Sequence, residues 1–140
     1  MATAQEVIEA CTAEWNVHKS DCSGFVKAVG RHFNVQLNGL ADDIVDQIST
    51  GQWKPLPDGS AAAASAATGA FVVAGLKGAD ESQPSAHGHV VVVVAGPLAR
   101  GAYPTAYWGK LGGGGCQDQT LNFAWKAADR DRVTYAMVET

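Results

Sequence analysis

Five valines run without interruption from Val90 to Val94, with Gly88 and His89 before them and Ala95, Gly96 and Pro97 after them. β-Branched side chains suit extended backbone, and successive residues of a strand point to opposite faces. Both faces of this segment are therefore apolar, and both must be covered. The strand is predicted to lie in the interior of a sheet, and Gly96-Pro97 to end it.

Helical patterns come earlier in the chain. Thr3-Ala4-Gln5-Glu6 has the form of a capping box and opens a helix running to about Asn16. Phe25, Val26, Val29 and Phe33 recur at spacings of three and four, marking one face of a second helix that reaches Asn34. Leu40, Ile44, Val45 and Ile48 mark a third, stopped at Gly51. Pro55 and Pro57 bracket a predicted turn, and the alanine-rich stretch from Ser60 to Thr68 reads as a small helix stopped by Gly69. Strands dominate afterwards: residues 70–76, the valine segment, a further strand in TAYWGK, and 133–138 at the end. Helices first and strands later, joined by short turns, predict an α+β fold with N-terminal helices packed on a largely antiparallel sheet.

A chain of 140 residues suits one domain, and neither a repeat nor a long linker divides residues 1–140. The formal charge of −4 argues against nucleic acid or an anionic membrane surface as the main partner. No segment is apolar for the ~20 residues that a membrane span requires. MATAQEVIEA carries Glu6 and Glu9 and no basic region, so it does not read as a secretory signal. The expectation is synthesis in the cytoplasm; action elsewhere would need a route other than general export.

Three cysteines leave at least one thiol free unless chains are bridged. Cys11 shares an apolar helix stripe with Val7, Ile8 and Trp15 and reads as core. Cys116, after a run of four glycines, is open to exposure or to pairing with Cys11. Cys22 differs. Ser20 and Asp21 are good N-cap residues, which puts Cys22 in the first turn of the second helix, among backbone N–H groups without helical partners. That end of the helix dipole supplies ~0.3–1 kcal/mol, and up to ~2 when partly buried, or about one pKa unit. A thiol starting near ~8.5 stays mostly protonated, so a nucleophilic Cys22 needs a base beside it.

Four histidines are available. His18 precedes Cys22 by four residues and could lie near it without being aligned. His32 is roughly 15 Å along the helix at ~1.5 Å per residue, too far to act. His87 and His89 fall on one side of the valine strand by alternation, with His89 held by the sheet and His87 in the loop. His89 is the better placed of the two.

Asp-Cys-Ser-Gly-Phe at a helix start, with Gly-His-Val opening a core strand, resembles the papain-like (NlpC-type) cysteine peptidases of bacterial cell-wall peptides. DCSGFVKAV, AFVVAGLKG, GHVVVVVAGPLARGAYP and DRDRVTY, in that order, together with ACTAEW, resemble the type VI secretion amidase effectors of family 1. The resemblance implies a papain-like fold and a toxin injected into rival Gram-negative cells. It implies hydrolysis of the γ-D-glutamyl–meso-diaminopimelate bond of peptidoglycan stem peptides in the recipient's periplasm. It also implies Cys22 as nucleophile, His89 as general base, no cofactor, a cognate immunity protein and the type VI apparatus as partners, and a monomer. The Cys22 N–H would be one oxyanion donor. No Asn, Asp or His follows in an obvious orienting position, which leaves a backbone carbonyl near Trp108, or the side chain of Asp129, to orient His89.

Two other readings compete. His87 and His89, with Cys22 or His18, could hold a zinc ion for a metal-dependent hydrolase, although no Asp or Glu stands in the usual adjacent base position. A non-catalytic wall-binding module would tolerate loss of Cys22. Trp53, Tyr103, Tyr107 and Trp108 line either a cleft or the core, and Arg130 or Arg132 either meets a substrate carboxylate or belongs to a solvated ladder.

Overall fold

Three of the four helices begin behind a side chain that caps them. The computed structural model describes residues 1–140. Helix α1 spans Ala4–His18 behind a complete Thr3/Glu6 capping box, and α2 spans Cys22–Arg31 behind Asp21. Helix α3 spans Ala41–Ile48, where the Asp43 carboxylate reaches back to accept the Leu40 N–H at 3.0 Å. Helix α4 spans Gly59–Ala67 and is capped by Asp58, whose Oδ1 accepts the Ala61 N–H at 2.9 Å. It starts one residue before the predicted Ser60 because the cap is Asp58, and the chain leaves it through Gly69 at φ 92°. Only glycine adopts that φ without strain.

The strands are β1 (Lys54–Leu56), β2 (Phe71–Leu76), β3 (His89–Val93), β4 (Thr105–Trp108), β5 (Cys116–Thr120) and β6 (Thr134–Val138). They form one antiparallel sheet in the order β1-β6-β2-β3-β4-β5. The protein is α+β, with four helices and six antiparallel strands, the architecture expected of a papain-like fold.

Strand β3 is interior, and its valines divide by alternation between two cores. Val90, Val92 and Val94 face α1, α2 and α3, packing with Phe25, Val26, Val29, Ile44 and Ile48. Val91 and Val93 face α4 and the loops, packing with Ala62, Ala66, Leu121 and Trp125. Each fully buried valine contributes roughly 1.5–3 kcal/mol relative to exposure.

Two strands depart from the sequence expectation. The predicted turn at Pro55 and Pro57 is in part strand β1, in which Pro55 sits opposite Ala136. Proline lacks an N–H, and β1 lies at the sheet edge, where that donor is not needed. Strand β5 carries the polar sequence CQDQT, which has no apolar alternation because it too is an exposed edge. It pairs with β4 through an irregularity between Ala106 and Trp108.

Candidate active site

Asp21 shapes the entry to α2. Its Oδ1 accepts the Gly24 N–H at 3.0 Å and the Ser23 hydroxyl at 3.1 Å. A Cβ on Gly24 would collide with the Asp21 carboxylate, so this cap requires glycine at the third helical position. Cys22, the first residue of the helix, is half-buried, and the backbone N–H groups of Val90, Ser23 and Cys22 itself are near its sulfur.

The sheet opens where this happens. Strands β3 and β4 pair at Val92–Tyr107 and Val93–Ala106, and toward His89 the pairing stops. The next residues of β4 turn instead to the segment that leads into α2. The Trp108 carbonyl accepts the Trp15 indole N–H at 3.0 Å, and the Lys110 N–H donates to the Lys19 carbonyl at 3.0 Å. A Cβ on Gly109 would strike the His18 carbonyl, and one on Gly115 the Lys19 carbonyl. Glycine at both positions lets the two segments touch, which seats the start of α2 against the exposed end of β3.

His89 is the first residue of β3 and is 9% exposed. Its Nε2 is buried and has no hydrogen-bond partner. Trp125 packs edge-on against the ring, with centroids 5.0 Å apart and planes at 64°. Burial, reinforced by the positive charge of Lys110, lowers the imidazole pKa to about 4. Burial also raises the Cys22 thiol above its ordinary range, with Asp21 adding to the effect, and outweighs the N–H groups that favour the thiolate. At neutral pH both groups are therefore neutral.

Cys22 and His89 line one cleft of about 1280 Å³, together with residues of the 81–88 loop, Lys110, Leu111, Phe123 and Trp125. His87 lines it too but is exposed in the loop, where its carbonyl accepts the Ser85 hydroxyl. No three His, Cys, Asp or Glu side chains gather as metal ligands would. Asp129 is buried in the cleft wall and accepts the Ser82 N–H at 2.7 Å through Oδ1. Trp108 is core, 1% exposed, and its carbonyl serves Trp15. His18 and His32 both turn to Glu14, at 3.7 and 2.7 Å. Trp53, Tyr103 and Tyr107 are buried in the two cores. Arg130 stacks over Tyr103 beside a separate small hollow, and Arg132 donates to the Asp80 carbonyl, so neither lines the cleft. All three cysteines are free, Cys11 being fully buried.

The chain matches no protein-family model. It is 37% identical over 142 aligned residues to the peptidoglycan amidase Tse1 of Pseudomonas aeruginosa, an alignment covering 94% of this chain and 88% of the relative. The chain belongs to the type VI amidase effector family.

Two cleft residues of this family member carry no sequence signal. Trp125 lies in NFAWKAAD, which follows no strand or helix period, and only the tertiary fold brings it against His89. Lys110 opens the glycine-rich stretch, and nothing local distinguishes it from any solvated lysine. It is the contact between the Gly109 backbone and the α2 entry that carries Lys110 into the cleft.

Proposed function

We propose that the chain is a peptidoglycan amidase that hydrolyses the γ-D-glutamyl–meso-diaminopimelate bond of wall stem peptides, with Cys22 as nucleophile and His89 as general base. The observation that carries this reading is the meeting of Cys22 and His89 in one cleft, at the point where β3 parts from β4.

The resting pair is neutral, so catalysis begins with proton transfer during attack. His89 takes the thiol proton as the Cys22 sulfur bonds to the amide carbon, and the carbonyl π electrons move onto oxygen. The Cys22 N–H, at the N-terminus of α2, donates to that oxyanion. Collapse expels the diaminopimelate nitrogen, which leaves as an amine after taking the proton from His89. Water then attacks the thioester, His89 receives its proton, and release of the glutamyl carboxylate restores the thiol. A desolvated base with a pKa of about 4 is weak in its resting state, and the thiolate forming beside it strengthens it as the reaction proceeds.

Membership of the family supports the proposed biological setting: a toxin delivered by a type VI apparatus, acting as a monomer in the periplasm of a rival Gram-negative cell. A cognate immunity protein protects the producer and its siblings.

Purified Gram-negative peptidoglycan digested with the protein tests the reading by mass spectrometry of the soluble fragments. The expected products end in D-glutamate on one side and begin with the free amine of diaminopimelate on the other. Cys22→Ala should yield none of them while keeping its circular dichroism spectrum. Cleavage at another bond, or full activity in Cys22→Ala, would overturn the assignment.

A further inference from the structure

Seven charged side chains line the cleft, and six of them are already engaged. Asp21 caps α2, Asp42 accepts the Gly78 N–H, and Asp43 accepts the Leu40 N–H. Glu81 accepts the Ser85 hydroxyl, Asp129 accepts the Ser82 N–H, and the Lys126 ammonium donates to Gln83. The seventh is Lys110. Its side chain has no ion-pair or hydrogen-bond partner, yet its backbone is fixed, because its N–H is bonded to the Lys19 carbonyl three residues before Cys22. The lysine's backbone is therefore anchored to the segment that leads into α2, while its charge lines the cleft free to meet a ligand.

We infer that Lys110 is the carboxylate-recognising residue of the cleft and pairs with the free α-carboxylate of the D-glutamyl residue being cleaved. This inference rests on the proposed γ-D-glutamyl specificity. A γ-linked glutamate leaves its α-carboxylate uncommitted, four carbon–carbon bonds from the scissile carbonyl, or about 5 Å when extended. A substrate held at Cys22 thus carries a negative charge a short distance from the reacting carbon, and Lys110 is the unengaged cation that lines the cleft. Its charge already reaches His89, where it disfavours the imidazolium. The exposed Leu111 and Phe123 also line the cleft and would exclude water from the pair once substrate is bound.

Two synthetic peptides test the inference: L-Ala-γ-D-Glu-meso-diaminopimelate-D-Ala, and the same peptide with the glutamyl α-carboxylate converted to a carboxamide. Wild-type protein should favour the acid by about tenfold in kcat/KM, mainly through KM, the scale of one charge-assisted pair. Lys110→Met should weaken turnover of the acid alone and abolish the preference, and Lys110→Arg should retain it. Loss of the charge beside His89 shifts the acid limb of the pH profile for both peptides alike, so recognition appears only in the difference between them. Lys110→Met acting equally on both peptides, or leaving the acid unaffected, overturns the inference. Calorimetric binding of each peptide to Cys22→Ala and to Cys22→Ala/Lys110→Met reads the pairing without turnover. If the acid binds with a Lys110-dependent advantage but wild type does not cleave it, the proposed reaction fails while the binding role stands. Binding that ignores Lys110 overturns the role.

Discussion

The indole of Trp125 stands edge-on to the imidazole of His89, whose buried Nε2 has no hydrogen-bond partner. The histidine is thus held by packing, and its low pKa of about 4 has burial as its largest cause. Trp125→Ala should admit water and move the pKa up toward the ordinary ~6.5. Because His89 acts as the neutral base, the acid limb of kcat/KM should move up with it. The truncation is expected to cost about 3–5 kcal/mol of stability, so thermal unfolding must accompany the rate measurement. Trp125→Phe should preserve the acid limb. An unmoved limb in a folded Trp125→Ala variant would show that the indole does not set the basicity of His89.

Thiol reactivity separates the two strand-side histidines. His89 should assist loss of the Cys22 proton, whereas His87 is exposed in the loop. Iodoacetamide alkylation of Cys22 at pH 6 should slow by about tenfold or more in His89→Ala and stay within about twofold in His87→Ala. The expectation follows from the helix N-terminus alone shifting a thiol by only about one unit. Equal rates in wild type and His89→Ala would refute the pairing.

Acid should destabilise the fold through the same histidine. Its folded pKa of about 4 lies below the unfolded value of ~6.5, so between these values the unfolded chain binds a proton that the native state does not. Stability is therefore fully present above pH ~6.5 and falls as the pH drops through this window. The contribution lost by pH ~4 is roughly 3 kcal/mol. Urea unfolding of wild type and His89→Gln across pH 4 to 7 should show the wild type losing more, since carboxylate titration is common to both. Parallel curves would contradict a buried neutral imidazole.

Compartment decides toxicity if the substrate is the wall. Mature stem peptides lie outside the cytoplasmic membrane, so expression in the bacterial cytoplasm should leave growth nearly unchanged. Fusion to an export signal should cause lysis that requires Cys22, and a partner covering the cleft around Cys22 and His89 should rescue those cells. Equal killing from both compartments would place the target elsewhere.

Much of this architecture can be read from particular residues. The unbroken valines require an interior strand, and β3 is interior. Asp21 before an apolar helical face places Cys22 at a helix start, as found. What escaped detection lacked a local cause. Strand β5 exists because the β4 edge offers unpaired backbone, not because CQDQT favours extension. Strand β1 includes a proline because an edge tolerates it. Trp125 and Lys110 join the cleft only through contacts between segments far apart in the chain, which no period or motif encodes.

Strand β6 lies between β1 and β2, although it is the last strand in sequence. During synthesis, β1 has no neighbour and β2 has only β3 until β6 emerges and inserts between them. Sheets completed by such distant pairings form slowly, because the loop entropy is lost before the contacts repay it. Cys22 and His89 are both translated before β6, yet the frame that holds them together is incomplete until that strand pairs. A growing chain therefore carries both residues on an unfinished sheet, and the cleft gains its rigidity only when one later strand closes the seam.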